Sequence, residues 1–97
     1  MKERTINMFK TGTLVMTQGI KAETDRNPIF IKEILTALDR YKANDWGDLS
    51  DNDKEANEEA LKYGDRIFAA YNTTKGKIYI ITEWDRSATT VLFASEY

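Results

Sequence analysis

The chain contains a single proline, and it stands directly after an asparagine, at Asn27-Pro28. No other feature narrows the fold as much. Proline has no N–H to give to a helix interior or a central strand, but at the first position of a helix that N–H needs no partner. Asparagine is among the best residues for the cap just before it. Beyond the pair, Ile31, Ile34, Leu35, Leu38 and Tyr41 recur at helical spacing, which predicts a helix with one apolar stripe. Lys32, Glu33, Thr36, Asp39 and Arg40 fall on the other side. The helix is expected to end near Ala43, with Asn44 in the left-handed cap conformation.

A second helix is predicted after a short connection. Ser50 is a natural N-cap, Asp53 stands where a capping box puts its acid, and Gly64 marks the C-terminal cap. On a helical wheel Ala56, Ala60 and Tyr63 share one side, expected to be buried. Asp51, Glu55, Glu58 and Glu59 share the other. Before the first helix, Met8 to Thr17 reads as a strand centred on Leu14-Val15-Met16, and Lys21 to Arg26 reads as a polar loop.

The last third reads as a meander of three strands. Arg66 to Tyr71 is followed by a turn through Asn72-Thr73-Thr74-Lys75-Gly76, then by Lys77 to Asp85, a turn at Asp85-Arg86-Ser87-Ala88, and Thr89 to Ala94. The run Ile78-Tyr79-Ile80-Ile81 suggests a central strand covered in part on both faces. The order is β-α-α-β-β-β. It predicts one α+β domain over residues 1–97, with two helices packed on one face of a four-stranded antiparallel sheet. The sheet neighbour of the first strand is left open.

Composition excludes several chemistries. The 97 residues contain no Cys and no His. Disulfides, Cys/His zinc sites, thiol nucleophiles, Ser-His-Asp triads and imidazole acid–base catalysis are therefore ruled out. The lack of Cys fits a reducing cytoplasm. No segment approaches the roughly 20 apolar residues of a membrane helix. Met1-Lys2-Glu3-Arg4 leads into no apolar signal core, so a cytoplasmic location is expected. No cofactor is implied.

The net charge of −2 conceals a polarised chain. From Asp45 to Glu59 there are seven acids (Asp45, Asp48, Asp51, Asp53, Glu55, Glu58, Glu59) and one base, Lys54, a local charge of −6. The remainder holds nine acids and thirteen bases, +4. Helix capping and the N-terminal dipole account for Asp51 and Asp53. Glu55, Glu58 and Glu59 gain little from the dipole and repel one another. The bland reading is a solvated helix face; the functional one is a patch that docks on a basic, nucleic-acid-binding surface. Trp46 beside Asp45 and Asp48 is the aromatic candidate for that contact, against a simple role as a core anchor.

Other constellations are weaker. Asp51-Asn52-Asp53-Lys54-Glu55 copies the start of a calcium loop but has Ala56 where the loop needs glycine and Lys62 where it needs glutamate. No metal site is expected. Glu83 and Asp85 alternate on one strand face, with no further signal for acid–base catalysis. Trp84, between them, reads as a strand-end anchor. The basic residues form no stripe interleaved with aromatics, so direct nucleic-acid binding is not expected.

Three blocks carry a family resemblance: Lys10-Thr11-Gly12; Asp45-Trp46-Gly47-Asp48-Leu49-Ser50 with the acidic helix after it; and Ile80-Ile81-Thr82-Glu83-Trp84-Asp85-Arg86 with Thr90-Val91-Leu92-Phe93. In these the chain resembles the small "plasmid-related" accessory proteins of bacterial conjugative elements and phage-like islands. The resemblance implies a genetic setting in which small acidic proteins inhibit host defence. The expectation is a non-enzymatic inhibitor, of anti-CRISPR or anti-restriction type, that meets a basic protein partner through Asp45, Trp46, Asp48, Asp51, Glu55, Glu58 and Glu59. The alternatives are an accessory module of the mobile element that binds through its sheet face or a dimer interface, and an enzyme using the Glu83/Asp85 pair.

Overall fold

The computed structural model of the protein describes residues 9–97. Met8, the expected start of the first strand, lies outside the described residues. The elements are β1 (Thr13–Met16), α1 (Gln18–Arg26), α2 (Pro28–Lys42), α3 (Asp51–Tyr63), β2 (Ile67–Thr73), β3 (Gly76–Thr82) and β4 (Ala88–Phe93), closed by a short 3-10 turn (Ala94–Glu96).

β2, β3 and β4 form the expected antiparallel meander, and the sheet order is β1-β4-β3-β2. β1, however, lies parallel to β4, with Thr13 opposite Ala88 and Met16 opposite Val91. The sheet is therefore mixed, which corrects the all-antiparallel expectation. The reason is topological. Tight turns force antiparallel pairing only between consecutive strands. β1 and β4 are separated by three helices and a hairpin, so no turn sets their relative direction.

The second correction is a third helix. Lys21 to Arg26 belongs to α1. Thr17 caps it, its hydroxyl accepting from the Ile20 N–H. Only Ile20 and Glu23 are buried along it, so the helix has no apolar stripe for a periodicity reading to find. Asn27 joins α1 to α2 in a tight corner. Its Oδ1 accepts from the N–H groups of Ile29 and Phe30, and its Nδ2 donates to the Glu23 carboxylate at 3.0 Å. Cap and proline at the head of α2 are thus as expected, as is Asn44 at positive φ beyond its end.

The buried face of α2 is Phe30, Ile34, Ala37, Leu38 and Tyr41. The expected stripe included Ile31 and Leu35 and omitted Phe30 and Ala37; Ile31 and Leu35 are exposed. The helix carries more apolar residues than one face can bury. The choice falls to Phe30, whose ring stacks on Phe93 at 5.6 Å.

The helices cover the sheet face formed by Ile67, Ala69 and Tyr71 on β2, Ile78 and Ile80 on β3, and Val91 on β4, all in one core cluster. On the opposite face Phe68, Tyr79 and Tyr97 pack edge to face or tilted, with centroids 4.6–5.8 Å apart. Ile81 and Leu92 are buried there too. β3 is accordingly an inner strand covered in part on both faces, and it stops at Thr82 rather than at Asp85. Arg86, at positive φ, turns the chain there. Its guanidinium donates to the carbonyls of Ala60, Glu83, Trp84 and Asp65, tying the turn to the C-terminal end of α3.

One polar chain crosses the core. Thr89 donates its hydroxyl to the Thr11 carbonyl at 2.7 Å. Thr82 lies 2.7 Å from Thr89 and Tyr41 lies 2.6 Å from Thr82. Since each hydroxyl has one proton, Thr82 donates to Thr89 and Tyr41 donates to Thr82. Burial pushes the Tyr41 phenol up to about 12, so it stays a donor across the neutral range. Thr82→Val removes the acceptor from a buried phenol and is expected to cost about 1–3 kcal/mol. Urea unfolding should show a lower midpoint with an unchanged slope.

Candidate functional site

The acidic segment lies along the outer edge of β2, and its backbone and side chains close that edge. Trp46, Gly47 and Asp48 run beside it as a single parallel bridge, Gly47 to Ala70. The Ala70 N–H donates to the Trp46 carbonyl at 3.3 Å, and the Asp48 N–H donates to the Ala70 carbonyl at 2.7 Å. Gly47 is required for this approach. Its φ is 78°, and a Cβ there would collide with the Ala70 carbonyl oxygen. One residue pair further on, Asn57 of α3 replaces a strand with its side chain. Its Nδ2 donates to the Phe68 carbonyl at 2.7 Å, and its Oδ1 accepts from the Phe68 N–H at 3.1 Å. An uncovered strand edge invites pairing with other chains; here both inner positions of the edge are satisfied within the molecule.

α3 is capped by Ser50 and Gly64 as expected, but among the described residues no bond from the Ser50 N–H to the Asp53 carboxylate completes the expected capping box. The Ser50 hydroxyl accepts from the Asp53 N–H at 3.2 Å, and Gly64 adopts the left-handed cap with its N–H on the Ala60 carbonyl. Its buried face differs from the expected one. Asn57 and Ala60 face inward, with Leu61 partly buried, while Ala56 and Tyr63 are exposed. The two bonds from Asn57 to β2 set the rotation of the helix. The signal in the sequence was a polar residue three positions before a small one that packs, and helical periodicity in apolar residues does not register it.

Six of the seven site residues proposed from sequence divide into two groups, and Glu58 stands between them. Trp46 is buried, with rings of Tyr41 and Phe9 at 5.7 and 6.1 Å. Its indole N–H donates to the Glu58 carboxylate at 2.8 Å. It is a core anchor rather than an exposed contact, because its ring is the wall between α3 and the end of α2. Asp45 is held by the Arg40 fork at 2.7 and 3.3 Å and accepts from the Gly47 N–H. Asp48 pairs with Lys77 at 3.2 Å and accepts from Asn72. Both acids are therefore neutralised by the molecule's own cations. Hydrogen bonds from Arg40 hold the Asp45 carboxyl below its ordinary value, and hydrogen bonds from Lys77 and Asn72 do the same for Asp48.

Asp51, Glu55 and Glu59 form the second group. They lie four residues apart on the outward side of α3, roughly 6 Å per step along the axis. Among the described residues none of them, nor Asp53, forms an ion pair. Glu58 flanks this row, is exposed, and spends one oxygen on Trp46.

No group of three potential metal ligands occurs among the described residues. A shallow groove of about 330 Å³ lies between α2 and β2, lined by Ile29, Lys32, Glu33, Arg40, Tyr71 and Asn72. Glu83 and Asp85 are not in it. The Asp85 carboxylate instead accepts from the Ser87 N–H at 3.0 Å within the β3–β4 turn. Trp84, expected to anchor a strand end, is exposed. No helix among the described residues is long and apolar enough to cross a membrane. The chain matches no protein-family model, no curated protein and no solved structure.

Two outcomes test this description. Asn57→Ala leaves the Phe68 N–H and carbonyl without partners and is expected to cost about 2 kcal/mol in urea unfolding, far more than Ala56→Ser on the exposed side. Because Asp45 and Asp48 have depressed folded values, their stabilisation is complete above the unfolded value near 4 and is lost as pH falls through the folded value. The unfolding midpoint should therefore drop between about pH 5 and pH 3. An Asp45→Asn, Asp48→Asn variant should show a shallower drop.

Proposed function

We propose that the protein is a non-enzymatic inhibitor that binds a basic, nucleic-acid-binding surface of a host defence nuclease complex, of CRISPR or restriction type. The observation that carries the reading is the outward row Asp51, Glu55 and Glu59, with Glu58 beside it. These carboxylates stand on a helix fixed at both caps and along its length by Asn57, and among the described residues none of them forms an ion pair. Like charges at this spacing destabilise the helix by a few tenths of a kcal/mol per pair. A cationic partner turns that cost into attraction, and a rigid helix loses little conformational freedom on binding.

The contact set is narrower than the sequence implied. Asp51, Glu55, Glu58 and Glu59 make the contact, while Asp45, Asp48 and Trp46 hold the helix in place. A helix that presents carboxylates at regular steps resembles the charge repeat of a nucleic-acid strand, which is what a basic channel is built to hold. The setting on mobile elements rests on the sequence resemblance alone. The second reading, an accessory module with no inhibitory role, is favoured by the apolar surface at the opposite edge of the sheet, where Leu14, Val15 and Met16 are exposed.

The test is the paired substitution Glu55→Lys and Glu59→Lys, which leaves Glu58 on Trp46 and Asn57 on β2. The variant should keep its circular dichroism and unfolding midpoint. Inhibition of a CRISPR nuclease or a restriction enzyme that the wild-type chain inhibits should fall by at least tenfold, and wild-type inhibition should weaken steeply with salt. A folded variant that inhibits as well as wild type refutes the acidic contact. A pull-down that returns only proteins encoded by the same mobile element supports the accessory reading instead.

A further inference from the structure

β1 is the other edge of the sheet, and it is treated in the opposite way from β2. The N–H groups of Thr13 and Thr17 donate to the carbonyls of Ser87 and Val91 on the β4 side. Alternate residues of a strand turn their backbone groups to opposite sides. Leu14 and Met16 therefore point theirs outward, and no described strand lies beyond them. Thr13 to Thr17 contains no charge and no proline, the usual devices that blunt a free edge. Leu14, Val15 and Met16 are 50%, 41% and 41% exposed.

Exposed apolar side chains also stand on α2, which packs on β2 and on α1. One flank of α2 reaches β2, where Glu33 accepts from Thr74 and the Arg40 guanidinium lies over the Tyr71 ring. Ile31 and Leu35 occupy the other flank, one turn apart. They are 39% and 56% exposed.

We propose that this edge pairs with the same edge of a second copy of the chain, antiparallel about a twofold axis through Val15, giving a continuous eight-stranded sheet. The backbone parity fits such an axis. Leu14 of each copy stands opposite Met16 of the other as a hydrogen-bonded pair, and the two Val15 residues meet as a non-hydrogen-bonded pair with Cα atoms about 4.5 Å apart. All four outward groups of each strand are then used, and the interface is self-complementary, as a twofold contact requires.

Charge selects a second copy over an extended segment of a charged partner. The joined strands carry no charge to attract one. The segment of local charge −6 lies on the far edge, beyond β4, β3 and β2. Pairing through β1 therefore places the two acidic helices at the outer ends of the dimer, where their repulsion is least. The paired strands are short, so the association is concentration-dependent rather than obligate.

The experiment uses the full chain. Its mass by sedimentation equilibrium should rise with concentration from 11.2 kDa toward twice that value. Leu14→Lys places charge on the shared edge without touching the bonds to β4, and it is expected to weaken dimerisation by about tenfold or more. The chain has no cysteine, so Val15→Cys puts one thiol beside its own copy at the axis. On mild oxidation that variant should form a disulfide-linked dimer well before Glu59→Cys, which carries its thiol on the outer face of α3. A chain that is monomeric at every concentration overturns the proposal. So does a dimer that survives Leu14→Lys, or cross-linking no faster at position 15 than at position 59. A monomer whose Leu14 and Met16 amides resist hydrogen exchange also overturns it, since the edge is then covered within one chain. The readout is mass and cross-linking, so this inference stands or falls apart from the acidic contact.

Discussion

The closure of the β2 edge is the interaction on which the rest of the molecule depends. A four-stranded sheet in a chain of this size has two edges and few residues to protect them. On the β2 side the protein uses the backbone of Trp46 and Asp48 against Ala70, and the side-chain amide of Asn57 against Phe68. These bonds place the segment from Asp45 to Glu59. They bring Trp46 under α3, turn Asn57 and Ala60 inward, and leave Asp51, Glu55 and Glu59 no direction but outward. Electrostatics follows from backbone satisfaction.

The same closure divides the acids by role. Those at the start of the segment meet cations that the fold brings to the sheet edge, Arg40 from the end of α2 and Lys77 from the start of β3. Those on the outer row of the helix form no ion pair among the described residues. Glu58 stands between, exposed to solvent yet bonded to the buried indole. A local charge counted along the chain therefore overstates the charge available to a partner. What remains is a compact row on a rigid support.

The two ends of the sheet are chemically unlike. One carries a covered edge and free carboxylates. The other carries an uncharged strand with exposed Leu14, Val15 and Met16 and no further strand beside it among the described residues. Between them the core is joined by a directional chain of hydroxyls from Tyr41 to the Thr11 carbonyl, and by the Arg86 guanidinium, which joins the β3–β4 turn to the last carbonyls of α3. Both devices connect residues far apart in sequence. Both satisfy polar groups that an apolar core would otherwise strand.

Local chemistry was legible in the sequence. Asn27-Pro28, Ser50, Gly64, and the turn expected over Asn72 to Gly76 each act over five residues or fewer, so the chain alone announces α2, α3 and the hairpin of β2 and β3, although Asn72 and Thr73 belong to β2 and Gly76 to β3. The antiparallel meander and the inner position of β3 follow from short turns and an apolar run. The tertiary structure decided what no local rule reaches. α1 has a cap but no apolar stripe, and only burial of Ile20 and Glu23 reveals its packing. The direction of β1 depends on a partner some 75 residues away in sequence. The roles of Asp45, Asp48 and Trp46 were set by Arg40, Lys77 and Glu58, because whether a charge is paired or a ring is buried depends on which distant groups the fold brings within bonding distance.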